Sequence, residues 1–127
     1  MTKADRVYDT RYFWSLYYIK DPEKIEKLKS LLVERSHRFV SSITLYEIYK
    51  LSIANEGKDV AELRCSLVKK DMQVVSVDAK IAEEAARISH QGRIPMADAL
   101  IMATAKIVGA ECITDDPHFA LMKTRWV

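Results

Sequence analysis

Two periodicities organise this chain. Short apolar runs bounded by acids or turn residues read as strands, and longer segments with an apolar residue every three or four positions read as helices. Arg6-Val7-Tyr8-Asp9 is the first such run and ends in an acid. An aromatic helix follows from Thr10 to about Ile19, with Phe13, Leu16 and Tyr17 on one face. Asp21-Pro22-Glu23 is a strong helix start, a cap followed by Pro and an acid. Ile25, Leu28, Leu31 and Leu32 form the buried stripe of that second helix. Arg38 to Ser42 reads as the second strand. Thr44 opens a third helix that runs to Asn55-Glu56-Gly57. Asp59 caps a fourth helix, with Val60, Leu63, Leu67 and Val68 facing inward. Met72 to Val77 is an apolar strand, and Asp78 caps a fifth helix with Ile81, Ala82, Ala85 and Ile88 inward, ending near Gly92. After Pro95, residues Met96 to Val108 are small or apolar almost without break, and Gly109 suits the helix end. A helix that is apolar nearly all round is a buried one. Glu111 to Thr114 is a fourth strand with an exit loop through Asp116 to Phe119, and Thr124 to Val127 reads as a last edge strand.

Short strands alternating with amphipathic helices predict an α/β fold: a three-layer α/β/α sandwich around a central parallel sheet of four to five strands. At 127 residues, residues 1–127 are expected to form a single domain. No apolar run is long enough to span a membrane, and the N-terminal residues do not resemble a signal peptide, so a cytoplasmic location is expected. Cys65 and Cys112 are far apart and fall on apolar positions, which fits buried, reduced thiols.

The chemistry lies in four acids. Asp9 ends the first strand, Asp116 follows the fourth, and Glu47 and Asp98 fall in what are predicted to be first helical turns. In open α/β sheets functional groups gather outside the carboxyl ends of the strands. Converging carboxylates raise one another's pKa unless a cation neutralises them. Oxygen ligands without His or Cys beside them point to Mg²⁺ or Mn²⁺, and two such ions can activate a water and stabilise the leaving oxygen in phosphodiester hydrolysis. Each acid also has a plainer reading. Thr44-x-x-Glu47 is a capping-box pattern, Asp98 suits a helix N-terminus, and Asp9 and Asp115-Asp116-Pro117 suit turns. The net charge of +2 does not announce a nucleic-acid binder, but it becomes +6 once the four acids are assigned to a site. His37 and His90 lie among polar residues near element ends, and His118 reads as a turn residue.

These residues resemble a PIN-domain nuclease, most of all the VapC-type ribonuclease toxins of toxin–antitoxin pairs. The resemblance spans nearly the whole chain. It rests on Val7-Tyr8-Asp9-Thr10, on Ser41 to Glu47, on Ala97-Asp98-Ala99-Leu100-Ile101-Met102-Ala103-Thr104-Ala105 and on Thr114-Asp115-Asp116-Pro117-His118-Phe119. It implies a metal-dependent endoribonuclease with Asp9, Glu47, Asp98 and Asp116 as catalytic metal ligands, a homodimer, RNA as substrate and an antitoxin as partner. Thr114, Asp115 and Thr10 are candidate supporting groups around those ligands. The family often carries a small hydroxyl residue two places after the first Asp, where this chain has Arg11. Arg11 has two readings, a phosphate contact or a side chain turned away. Tyr12, Trp14 and Tyr18 cannot all lie on the buried face of their helix, so they are candidates for stacking RNA bases or anchoring a partner, and the resemblance favours the partner.

Two rivals remain on sequence. A phosphoacceptor signalling domain also gathers acids at strand ends, but it wants an acidic pair at the first strand end and a Lys after a late strand, and neither is present here. A catalytically silent PIN-like scaffold that binds RNA or a protein is the alternative.

Overall fold

The computed structural model describes residues 4–33 and 36–117. Their elements, in order, are β1 (Ala4–Tyr8), α1 (Thr10–Tyr18), α2 (Pro22–Val33), β2 (Ser36–Ser41), α3 (Ser42–Glu56), α4 (Lys58–Asp71), β3 (Gln73–Val75), α5 (Ala79–Gly92), α6 (Met96–Val108) and β4 (Glu111–Ile113). The four strands form one parallel sheet in the order β3-β2-β1-β4. This is the expected α/β/α architecture with four strands. The expected edge strand at Thr124 to Val127, and His118 and Phe119, lie outside the described residues.

Alternation along the strands sets the two cores. Val7 and Cys112 face one way, into a cluster with Ile81, Ala85, Ile101 and Met102 from α5 and α6. Tyr8 and Ile113 face the other way, among Tyr12, Phe13, Leu28, Ile48 and Val68 from α1 to α4. Parallel strands are normally covered on both faces, and here each face has its own apolar layer.

Most helix ends follow the sequence cues, but Asp59 does not cap α4: it lies in the first turn, and Gly57 stands at the cap position. Asp21 accepts from the Glu23 N–H (3.0 Å), and Asp78 caps α5 through the Ile81 N–H (2.9 Å). Gly109 closes α6 in the left-handed region, at φ 72°. Two inward stripes differ from expectation. On α4 the buried residues are Ala61, Cys65 and Val68, whereas Leu63 and Leu67 stand 59% and 49% exposed. On α5, Ile81 and Ala85 are buried but Ala82 is exposed. Large apolar side chains mark a stripe on sequence, yet the close approach of α4 to its neighbours selects the smaller Ala61 and Cys65 for the contact.

Side-chain donors tie α2 to the sheet. Arg6 Nη1 (3.0 Å) and the Tyr8 hydroxyl (2.7 Å) both donate to the Leu31 carbonyl, Arg38 donates to the Leu32 carbonyl (2.7 Å), and the Tyr12 hydroxyl donates to the Leu28 carbonyl. The last four carbonyls of a helix lack intrahelical partners, so the bonds to Leu31 and Leu32 satisfy groups that would otherwise be stranded. Arg6 is itself buried and pairs with Glu111 of β4, Nε to Oε1, at 3.1 Å. A buried charge pair contributes little net stability, but losing one partner is costly. Arg6→Met is therefore expected to destabilise the fold by about 3–5 kcal/mol, and the pair Arg6→Met with Glu111→Leu to recover most of that loss in urea unfolding. Equal destabilisation of the single and double variants would mean that the lost carbonyl bonds, not the stranded Glu111, carry the effect.

Candidate functional site

β1 is a central strand, and its chain continues in extended form through Asp9 (φ −68°, ψ 153°). The Asp9 N–H donates to the Ile113 carbonyl at 3.0 Å, which carries the β1–β4 ladder one step past Tyr8. Alternation then turns Asp9 to the same side as Val7, the side covered by α6. Its carboxyl is only 1% exposed. The buried Thr114 hydroxyl donates to Asp9 Oδ2 at 2.6 Å and accepts the Asp116 N–H at 3.0 Å, so one threonine holds Asp9 and the loop of Asp116 together.

Burial pushes the Asp9 carboxyl up from its ordinary 3.8 to about 7. The Thr114 hydroxyl opposes that rise, and the negative charges of Asp98 and Asp116 add to it. Like-charge repulsion was the cause expected from sequence. It acts in the expected direction, but desolvation is larger. Asp98 stands half-buried in the first turn of α6, and Asp116 half-buried in the β4 exit loop. The Cys112 thiol is raised well above its ordinary range by burial and then by Asp9 and Asp98. Cys65 and Cys112 are both buried and free, as expected.

Glu47 arrives by a different route. α3 starts at Ser42 with Ser41 as its cap, the Ser41 Oγ accepting from the Ile43 N–H at 3.2 Å. The capping-box reading of Thr44 and Glu47 is thus wrong, and so is the placement of Glu47 in the first turn: it belongs to the second. Thr44 is fully buried, and its hydroxyl lies 3.0 Å from the Thr10 hydroxyl. Thr10 in turn donates to Glu47 Oε1 at 2.6 Å. Since Thr10 follows Asp9 directly, Glu47 is bound to the same corner. Thr44 is the residue that sequence reasoning missed. Its signal was a hydroxyl three residues before an acid, on the same helix face.

Arg11 and Asp115 form an exposed ion pair, Nε to Oδ1, at 2.7 Å. The Arg11 pKa is raised first by that bond, and also by the charges of Asp115, Asp116 and Asp9. Tyr12 is a correction: it is fully buried and packs edge-on against Tyr8 and Phe13, so it offers no contact surface. Trp14 is half-buried against the same cluster. Tyr18 is partly exposed, but its hydroxyl is engaged by Glu56 and Arg64, and Arg64 also stacks on Tyr17. His37 pairs with Asp5 at 3.0 Å on the surface, and His90 is exposed.

The donor set at this corner is all oxygen and predominantly anionic, which is the chemistry that hard divalent cations take. Among the described residues, however, no three His, Cys, Asp or Glu side chains are grouped tightly enough to hold a metal ion as they stand.

The PIN domain family model matches residues 7–124. No curated protein matches by sequence. Solved structures match over nearly the full chain at low identity. A toxin–antitoxin complex from Klebsiella pneumoniae is 21% identical, with 91% of each chain covered and a TM-score of 0.74. VapC20 of Mycobacterium tuberculosis, described as a sarcin-ricin loop cleaving toxin, is 18% identical, with 92% and 94% covered and a TM-score of 0.77. VapBC2 of Rickettsia felis, bound to DNA from its promoter, is 15% identical, with 96% and 98% covered and a TM-score of 0.77. At these identities the likeness shows a shared fold.

The Asp9 environment fixes a pH dependence. Unfolded, Asp9 ionises near 3.8, whereas in the fold it keeps its proton up to about 7. The folded state therefore binds more protons between those values, and Asp9 withdraws stability as pH rises through that window. The total is at most ~4 kcal/mol. In EDTA, wild type should lose stability relative to Asp9→Asn between pH 4 and 7, and the difference should level off above that. Denaturant midpoints across pH read this directly. A wild-type-minus-variant difference that is flat over the window would refute the assigned environment.

Proposed function

The chain belongs to the PIN domain family, and from that premise we propose that it is a divalent-metal-dependent endoribonuclease, the toxin of a toxin–antitoxin pair. The observation that carries this reading is the Asp9 corner. A carboxylate is buried at the end of a central strand with Asp98 and Asp116 acting on it, so negative charge accumulates where a sheet of this type places its functional groups. A cation of high charge is what such a corner takes up.

In this reading Asp9, Glu47, Asp98 and Asp116 hold Mg²⁺ or Mn²⁺, and single-stranded or looped RNA is the substrate. When bound, the cation supplies Lewis-acid polarisation of the phosphodiester and lowers the pKa of an attacking water. The chain's own work is to aim the carboxylates. Thr114 orients Asp9, and the Thr44–Thr10 pair orients Glu47. Hydroxyl partners of this kind fix ligand direction without neutralising ligand charge. Among the described residues, the two histidines are surface groups: His37 pairs with Asp5 and His90 is exposed.

The assembly is proposed to be a cytoplasmic homodimer covered by its antitoxin. No helix among the described residues is long and apolar enough to cross a membrane. Exposed apolar surface available to a partner lies mainly on α3 and α4, at Tyr46, Leu63 and Leu67, with Tyr18 of the aromatic helix also exposed. One observation favours the second reading, a silent PIN-like scaffold that binds RNA or protein: the acids as placed do not close around an ion.

Cleavage of end-labelled RNA in Mg²⁺, Mn²⁺ or EDTA separates the two readings. Wild type should cut only with metal, Asp98→Asn should lose at least ~100-fold in rate, and Thr114→Val should lose roughly 10–100-fold. Calorimetric titration with Mn²⁺ should weaken in parallel. If Asp98→Asn cuts as wild type does, the site is misassigned. If wild type neither cuts nor takes up metal, the scaffold reading replaces the enzyme.

A further inference from the structure

We propose that Arg11 is the phosphate-contact residue at the rim of this site, and that Asp115 is its resting counter-ion, which a phosphodiester of single-stranded RNA displaces. The proposal rests on the nuclease reading above and adds a residue that the four acids do not supply.

The arginines with contacts in the described residues fall into two groups. Arg6 is buried and bonded to both Glu111 and the Leu31 carbonyl. Arg38 satisfies the end of α2, and Arg64 is stacked on Tyr17 and Tyr18 while bonding Ser52 and Glu56. Arg87 pairs with Glu84 three residues away on α5. Arg6, Arg38 and Arg64 serve the fold, and Arg87 forms a local surface pair within α5. Arg11 differs on three counts. It stands two residues after Asp9, in the first turn of α1. Its side chain is 50% exposed and its partner 36% exposed. Among the described residues it bonds through Nε alone, which leaves both terminal nitrogens for a ligand.

That geometry suits exchange. A solvent-exposed ion pair contributes little and reforms readily. A phosphodiester offers two oxygens to a planar guanidinium, and so a bidentate contact in place of a single bond. RNA must also approach a corner where Asp9, Asp98 and Asp116 repel it, and a cation at the rim lowers that barrier. Asp115 has a defined part in this. An arginine so close to Asp9 and Asp116 would otherwise settle on those carboxylates and compete with the metal, and Asp115 holds it to one side.

The test is binding of a fluorescein-labelled single-stranded oligoribonucleotide, read by anisotropy in Mg²⁺, in an Asp98→Asn background that does not cut. Adding Arg11→Ala should weaken binding roughly tenfold and reduce the slope of log K against log salt by about 0.7 between roughly 50 and 200 mM salt. Arg11→Lys should restore the slope but not the affinity, because the charge returns without the fork. Asp115→Asn should tighten binding, and that gain should vanish when Arg11→Ala is also present. Thermal midpoints of all variants establish that the fold is intact, as expected for exposed positions. If wild type cleaves RNA yet Arg11→Ala leaves affinity and slope unchanged, the nuclease reading stands and Arg11 is no phosphate contact. If the Asp115→Asn gain persists without Arg11, Asp115 acts only as a repelling charge and the exchange is wrong. If wild type cuts no RNA and the background binds none, the nuclease reading fails and takes this proposal with it.

Discussion

The structure turns on a carboxylate buried at the end of a central strand. β1 lies between β2 and β4 with an apolar layer on each face, and Asp9 at its carboxyl end is buried. An acid at that point has to be desolvated, and Asp9 holds its proton to about 7 as a result. Everything adjacent bears on how that group is satisfied: the one-residue extension of the β1–β4 ladder, the first turn of α1, the N-terminus of α6 and the exit loop of β4.

The two ends of the β1–β4 ladder make the point sharper. Arg6 pairs in register with Glu111, and three residues later Asp9 meets Thr114 one step beyond the last register pair. Both ends bury a charged side chain. At the first end the charge is matched by an opposite charge, and the same arginine caps the end of α2. At the second end the partner is a hydroxyl, and the nearby charges named in the Asp9 environment have the same sign. The first end is closed by an opposite charge, whereas at the second a hydroxyl holds a carboxyl that keeps its proton up to about 7. A buried acid shifted in this way is a mark of functional sites.

Much of this was legible in the sequence because strong local signals agreed with the fold. Met96 to Val108 is so apolar that it had to be buried, and Asp98 was conspicuous within it. Asp21, Asp78 and Gly109 ended their helices as their chemistry requires. The failures were of register and neighbourhood. Leu63 and Leu67 outweigh Ala61 and Cys65 in hydrophobicity, so the α4 stripe was read one face away, whereas close packing of α4 against α3 selects small side chains. Tyr12 was a contact candidate because Tyr12, Trp14 and Tyr18 cannot all lie on the face of Phe13, Leu16 and Tyr17. The sequence does not display the Leu28 carbonyl that satisfies the Tyr12 hydroxyl in the core. The Arg11–Asp115 pair spans more than a hundred residues, and no periodicity announces a contact of that range.

Glu47 shows how much depends on two residues of helix register. Had α3 started at Thr44, that hydroxyl would have capped the helix and Glu47 would have served the backbone. Starting at Ser42, the helix gives the capping role to Ser41 and turns Thr44 into the core beside Thr10. A hydroxyl carries one proton, and a carboxylate only accepts, so Thr10 donates to Glu47 and takes its own bond from Thr44. The same polarity recurs on the other side, where the Asp116 N–H donates to Thr114 and Thr114 donates to Asp9. Threonines thus aim two of the four acids, each through a short directed relay. An arginine or lysine in either place would have oriented the carboxylate equally well, but it would also have neutralised it and competed with any incoming cation. Hydroxyls fix direction and leave the carboxylate's charge available.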